Sequence, residues 1–126
     1  METKLSAGPR IIVIDDDEDS REAFASFLRM NGHRVDEFEA AEEALDSMAS
    51  DMPAVVVVDI TLSTGIDGYE AARRIRALPS ASAPRIVAMT GYSSAVVERK
   101  GPLFDAIFTK PVDADELLAA VNRLCS

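Results

Sequence analysis

The chain reads as a single α/β domain, an open doubly wound sheet of five parallel strands with helices on both faces. Three observations predict this. Unbroken apolar runs too short for helices recur along the chain, RIIVI at 10–14, VVVVD at 55–59 and RIVAM at 85–89. Runs of that kind suit strands buried on both faces, as parallel sheets require. Between them lie stretches whose apolar residues repeat at helical spacing, and the alternation β-α occurs five times. Strands alternating with helices imply parallel neighbours joined by right-handed crossovers.

Taken in order, Arg10–Ile14 is the first strand, and the acidic run Asp15–Asp19 follows it directly. Ser20–Met30 is the first helix, with Ala23, Phe24, Phe27 and Leu28 on one stripe, Asp19 or Ser20 as cap and Asn31-Gly32 as stop. His33–Glu39 alternates weakly around Val35 and Phe38 and reads as a half-exposed strand. Ala40–Ser50 is rich in helix formers and turns Ala41, Ala44, Leu45 and Met48 inward, until Pro53 breaks it. The four valines Val55–Val58 form the central strand, which ends on Asp59. A loop over Ile60–Asp67 leads through Gly68 into a helix from Tyr69 to about Leu78, and Pro79–Pro84 is a turn-rich link. Arg85–Met89 is the fourth strand, ending on Thr90-Gly91. Ser93–Lys100 is a short, weak helix stopped by Gly101-Pro102, and Ala106–Thr109 is the fifth strand, ending on Lys110-Pro111. Asp113–Leu124 closes the chain as an amphipathic helix with Leu117, Leu118, Val121 and Leu124 on its stripe. Five such units predict the flavodoxin-like strand order 2-1-3-4-5, with its switch point between the first and third strands.

At 126 residues and 48% apolar composition, the chain is long enough for one core and is not disordered by composition. Residues 1–9 read as a flexible leader and 10–126 as the domain. No apolar run approaches the ~18 residues that cross a bilayer, so no membrane role is expected. The leader lacks a signal core, and a lone cysteine, Cys125, fits a reducing compartment. A cytoplasmic location is the expectation. The formal charge of −9 would repel a phosphate backbone, which argues against direct nucleic-acid binding and favours a cation or a basic protein surface.

Ligands of open α/β sheets bind beyond the carboxyl ends of the strands. The first and third strands, which flank the switch point, end on Asp15/Asp16 and on Asp59, and the next two end on Thr90 and Lys110. Crowded carboxylates repel one another, and a bound divalent cation relieves the repulsion. Oxygen-only ligands favour Mg²⁺, and no His–Cys cluster suggests zinc. A lysine and a hydroxyl beside such an ion suit a phosphoryl group, and its transfer to the Asp59 carboxylate would give an acyl phosphate.

The motifs VIDDD at 13–17, VVVVD at 55–59, DGYE at 67–70, MTGY at 89–92 and TKPVD at 109–113 stand in one order over about residues 9–125. Together they resemble the receiver domain of two-component response regulators. The resemblance implies that Asp59 is the phosphoacceptor, with Asp16 a direct Mg²⁺ ligand and Asp15 a water-mediated one. Asp59 itself and the Thr61 backbone carbonyl would complete the metal's protein ligands. It also implies that Thr90 is the switch hydroxyl, that Lys110 pairs with the phosphoryl group and that the bond before Pro111 is cis. The expected donor is a histidine kinase or a histidine phosphotransfer protein, and the expected reader is a downstream protein docking on the fourth helix, fifth strand and fifth helix. With the last helix running to the end of the sequence given, the expectation is either a stand-alone receiver or a piece of a larger regulator or hybrid kinase, and the starting Met and tail-like leader favour the first.

Three departures from the family stand out. The step from Asp59 to Asp67 is one residue longer than is common, with Ser63 or Thr64 where proline is usual. Ile107 occupies a position usually aromatic or histidine, so coupling of Thr90 to a rotating ring is not available. Tyr92 places a bulky ring beside the site, and with Thr61 it is expected to tune how water reaches the phosphoryl group.

Simpler readings compete at several positions. Asp15 and Asp16 alone could cap a helix, and Asp17, Glu18 and Asp19 suit the helix macrodipole. Arg73, Arg74 and Arg76 read as a solvated helix face, His33 as a strand-edge residue, and Asp51, Asp105, Asp113 and Asp115 as caps and turns. Two rival functions compete with this reading. An aspartyl-phosphate phosphatase would want a second acid where Thr61 stands. An unphosphorylated scaffold would not need the acid pair, Thr90 or Lys110. The expectation is therefore a signalling phosphoacceptor that catalyses only its own phosphorylation and dephosphorylation.

Overall fold

The computed structural model describes residues 8–63, 65–79, 83–99 and 101–125. In chain order these form β1 (Arg10–Ile14), α1 (Glu18–Met30), β2 (Arg34–Phe38), α2 (Ala41–Met48), β3 (Val55–Asp59), α3 (Gly68–Arg76), β4 (Arg85–Thr90), α4 (Ser94–Glu98), β5 (Ala106–Thr109) and α5 (Ala114–Cys125). The strands pair in parallel in the order β2-β1-β3-β4-β5, the flavodoxin-like topology expected from the sequence.

The pleat divides the core in two. Side chains alternate across a strand, so Ile12, Ile14, Val56, Val58 and Ile86 face one side and meet Ala41, Ala44 and Met48 of α2 and Ala71, Ala72 and Ile75 of α3. Ile11, Val13, Val55, Val57, Val87 and Met89 face the other, against Ala25 and Leu28 of α1 and Leu117 and Val121 of α5. All four valines of β3 are fully buried. Each contributes roughly 1.5–3 kcal/mol relative to an exposed side chain, which is why four can stand in a row here.

Register then sets the site. Ile14 lies opposite Val58, and Asp59 opposite Met89. One step further along β1 brings Asp15 level with Asp59. Thr90 pairs with Thr109, so Lys110 lies one step beyond the β4–β5 ladder.

Helix ends differ from the sequence reading. α1 starts at Glu18 because the Asp17 carboxylate accepts the Ser20 N–H, whereas the sequence reading placed the cap at Asp19 or Ser20. The helix begins two residues before the expected Ser20, and its inward face is Ala25 and Leu28 with Phe24 and Phe27 partly buried, whereas Ala23, expected on that stripe, is exposed. Asp113 accepts the amides of Asp115 and Glu116 at the head of α5. Arg73 and Arg74 bond Glu70 on the α3 surface, but Arg76 reaches across to the Leu103 carbonyl and Asp105 and is not simply solvated. The expected leader lies outside the described residues apart from 8 and 9, as do Thr64, three positions of the link at 80–82, and Lys100.

Candidate functional site

Asp59 closes β3 with its side chain almost fully buried and both carboxylate oxygens engaged. Oδ1 accepts the Thr61 amide at 3.0 Å and the Thr61 hydroxyl at 3.1 Å. Oδ2 accepts the Lys110 ammonium at 2.7 Å. Partial burial opposes the charge on Lys110, but the bond to Asp59 and the attraction of Asp59, Asp15 and Asp16 outweigh it and raise its pKa. The lysine therefore stays charged at neutral pH.

Asp15, fully buried, sits at the first turn after β1. Its Oδ1 accepts the Asp17 amide at 2.9 Å, while its buried Oδ2 has no partner among the described residues. Burial, reinforced by the neighbouring charges of Asp59 and Asp16, pushes its pKa from 3.8 to about 6. Asp16 is half-buried, and its Oδ2 accepts both the Ser63 amide at 2.8 Å and the Ser63 hydroxyl. Those two donors hold its pKa below the usual carboxylate value. One carboxylate oxygen from each of Asp15, Asp16 and Asp59 lies within 4.8 Å of the others. Three acids this close, one of them with an unpartnered buried oxygen, fit a hard divalent cation better than they fit one another.

Thr90, fully buried at the end of β4, accepts the Tyr92 amide on its hydroxyl oxygen at 2.9 Å. Tyr92 stands on the rim with its side chain exposed. The Lys110–Pro111 bond is cis. Ile107 packs instead into a separate cluster of Ile60, Ala88 and Val97 with Tyr69 and Phe104. A cavity of about 230 Å³ lined by Asp15, Ser20, Phe24, Lys110, Pro111 and Val112 opens beside the acids.

The fold thus gathers Asp15, Asp16, Asp59, Thr61 and Lys110 at one edge, with Thr90 on the adjoining strand. Ile107 stands apart from them. Three contributors are not evident from the sequence. Ser63 stands out there only as a departure from proline, and Glu42, which accepts the Ile66 amide at 2.9 Å, reads as one more helix acid. Arg21 donates to the Asp15 carbonyl at 2.9 Å and pairs with Glu37, and a helix-surface arginine carries no local signal for that role.

A family model described as the response regulator receiver domain matches residues 11–122. The chain is 33% identical over 118 residues to an uncharacterized 14.6 kDa protein of Leptolyngbya boryana, covering 91% of this chain and 88% of that one. It is 37% identical over 122 residues to the response regulator MprA of Mycolicibacterium vanbaalenii, covering 91% of this chain and 49% of MprA, so it spans about half of that regulator. Among solved structures it resembles the response regulator protein TrrA of Thermotoga maritima in complex with Mg²⁺–BeF. That match has 32% identity and a TM-score of 0.80, and covers 92% of this chain and 98% of the other.

Proposed function

The chain belongs to the response regulator receiver domain family, and from that membership we propose that it accepts a phosphoryl group on Asp59 in a two-component relay. The donor in this reading is a phosphorylated histidine of a histidine kinase or phosphotransfer protein. A carboxylate oxygen of Asp59 attacks phosphorus, the P–N bond to the donor imidazole breaks, and an acyl phosphate forms on Asp59. The observation that carries the reading is the Lys110 ammonium on the Asp59 carboxylate, beside two further acids.

Asp15, Asp16, Asp59 and the Thr61 backbone carbonyl are the groups that would hold Mg²⁺. Bound there, the ion would neutralise the acids and the phosphoryl oxygens, as it does in phosphoryl transfer generally. Lys110 shifts its bond from the carboxylate toward the incoming phosphoryl oxygens. The Thr90 hydroxyl, now an acceptor from Tyr92, turns to donate to the same group. Thr61 orients the nucleophile by holding Oδ1. Movement of the Thr90 loop then changes the face of α4, β5 and α5 that a downstream protein reads. The chain's chemistry in this reading is its own phosphorylation and dephosphorylation, in the cytoplasm, where a free cysteine stays reduced.

Incubation with acetyl phosphate and Mg²⁺, followed by intact mass, tests the proposal. Wild type should gain one phosphoryl group, and Asp59→Asn or omission of Mg²⁺ should abolish the gain. Equal phosphorylation of Asp59→Asn would refute the assignment.

A further inference from the structure

Asp16 is the least buried of the three clustered acids, yet one of its oxygens takes two hydrogen bonds from outside its own turn. A single residue distant in sequence does this. Ser63, in the loop between β3 and α3, places its amide N–H at 2.8 Å from Asp16 Oδ2 and directs its hydroxyl at the same atom. A carboxylate oxygen offers about two lone-pair sites, so these donors fill Oδ2 and leave Oδ1 to other partners. Rotation of the side chain would break both bonds at once.

The loop beyond the serine is anchored in its turn. The Ile66 amide donates to Glu42 Oε2 at 2.9 Å. Gly65, with φ of +74°, lies so close to the Glu42 carboxylate that a Cβ there would collide with it. Asp67 then caps α3, and Gly68 seats against the end of β3, where a Cβ would meet the Ile60 Cα at 2.7 Å. Residues 65–68, downstream of Ser63, are thus tied to α2, to α3 and to the end of β3.

We propose that Ser63 is a positioning residue for divalent-metal binding: it withdraws one oxygen of Asp16 and holds the carboxylate in the orientation that groups it with Asp15 and Asp59. The proposal rests on the reading of that trio as the Mg²⁺ site. Its physical basis is preorganisation. An aspartate already fixed by hydrogen bonds loses less conformational freedom when an ion arrives, and partners that orient a ligating carboxylate are commonly worth 10–100-fold in affinity.

Calorimetric Mg²⁺ titration of the unphosphorylated protein provides the test, with circular dichroism to check folding of each variant. Ser63→Ala, which keeps the amide, should weaken binding by about tenfold. Ser63→Thr, which keeps both donors, should bind like wild type. Ser63→Ala added to Asp16→Asn should cost nothing beyond Asp16→Asn alone, because the serine acts through that carboxylate. In the metal-free protein, Ser63→Ala should move the carboxyl ¹³C resonance of Asp16 while that of Asp51, at the opposite end of the sheet, stays in place. Unchanged or tighter binding in Ser63→Ala, or an equal loss in the Asp16→Asn background, overturns the proposal. A wild type that binds no Mg²⁺ would overturn the metal-site reading itself, a result distinguishable because it appears before any substitution is made.

Discussion

Asp59 illustrates how one carboxylate can be prepared by two neighbours of different character. Thr61 supplies neutral donors to Oδ1, and Lys110 supplies a charged one to Oδ2. In the proposed reaction Thr61 stands beside the attacking carboxylate and Tyr92 on the rim, so removing either should let water nearer. Thr61→Ala and Tyr92→Ala are each expected to shorten the acyl-phosphate half-life several-fold, read by loss of the phosphorylated mass over time; unchanged lifetimes would remove the idea. Asp15 makes a prediction of the opposite kind. Burial raises its pKa from 3.8 to about 6, so the folded protein holds that proton more tightly than the unfolded chain does. Its contribution therefore favours folding most fully below 3.8 and is lost as pH rises through 6. In metal-free protein, Asp15→Asn should raise stability at pH 7 by roughly 1–3 kcal/mol, and the gain should fade in acid, as urea melts across pH would show. The candidate site residues Asp15, Asp59, Thr90 and Lys110 were legible because each closes or follows an apolar run, and strand ends of a doubly wound sheet converge. Ser63 and Glu42 were not, because their roles depend on which loop meets which turn, and no spacing in the chain encodes that.

Among the elements, the junction of β3 and α3 is the most constrained. Asp67 accepts the Glu70 amide at 2.9 Å as N-cap, and Gly68 lies against the Ile60 Cα and the Asp59 carbonyl. Asp67→Ala should cost about 1 kcal/mol, the usual value of a lost cap. Gly68→Ala should cost more, since the added carbon meets backbone that cannot yield without shifting Asp59. Chemical denaturation of the two variants checks the order. Strands could be read from sequence nearly to the residue, because a buried parallel strand needs an unbroken apolar run and little else resembles one. Helix ends could not. Five consecutive acids and a serine offer several caps for α1, and only packing of Ala25 and Leu28 under the sheet selects Asp17. In the same way Arg76 looks like its neighbours Arg73 and Arg74 until the β4–β5 connection brings Asp105 alongside it.

For the whole molecule, the sheet separates two ends with different tasks. The carboxyl ends carry the acids and the lysine. The opposite end is tied by Arg10, which is 6% exposed and bonds Asp36, the Asp51 carbonyl and the Ser47 hydroxyl. Arg34 adds a second link to Asp51. Asp36 is partly solvated, so Arg10→Ala should cost about 2–3 kcal/mol, less than a fully buried pair. Being at the far end, it should leave Mg²⁺ affinity unchanged, and calorimetry beside a urea melt separates the two effects. One detail at the site edge carries a practical consequence. The Thr90 hydroxyl oxygen is bound by the Tyr92 amide, and the Tyr92 ring projects outward with 56% exposure. The chain has no tryptophan, and its other tyrosine, Tyr69, lies against Phe104 with ring centroids 6.2 Å apart. Any displacement of that hydroxyl must tug a fluorophore standing in water, so the chain carries its own optical gauge. Beryllofluoride should alter tyrosine emission in wild type and in Tyr69→Phe alike, and Tyr92→Phe should darken the signal.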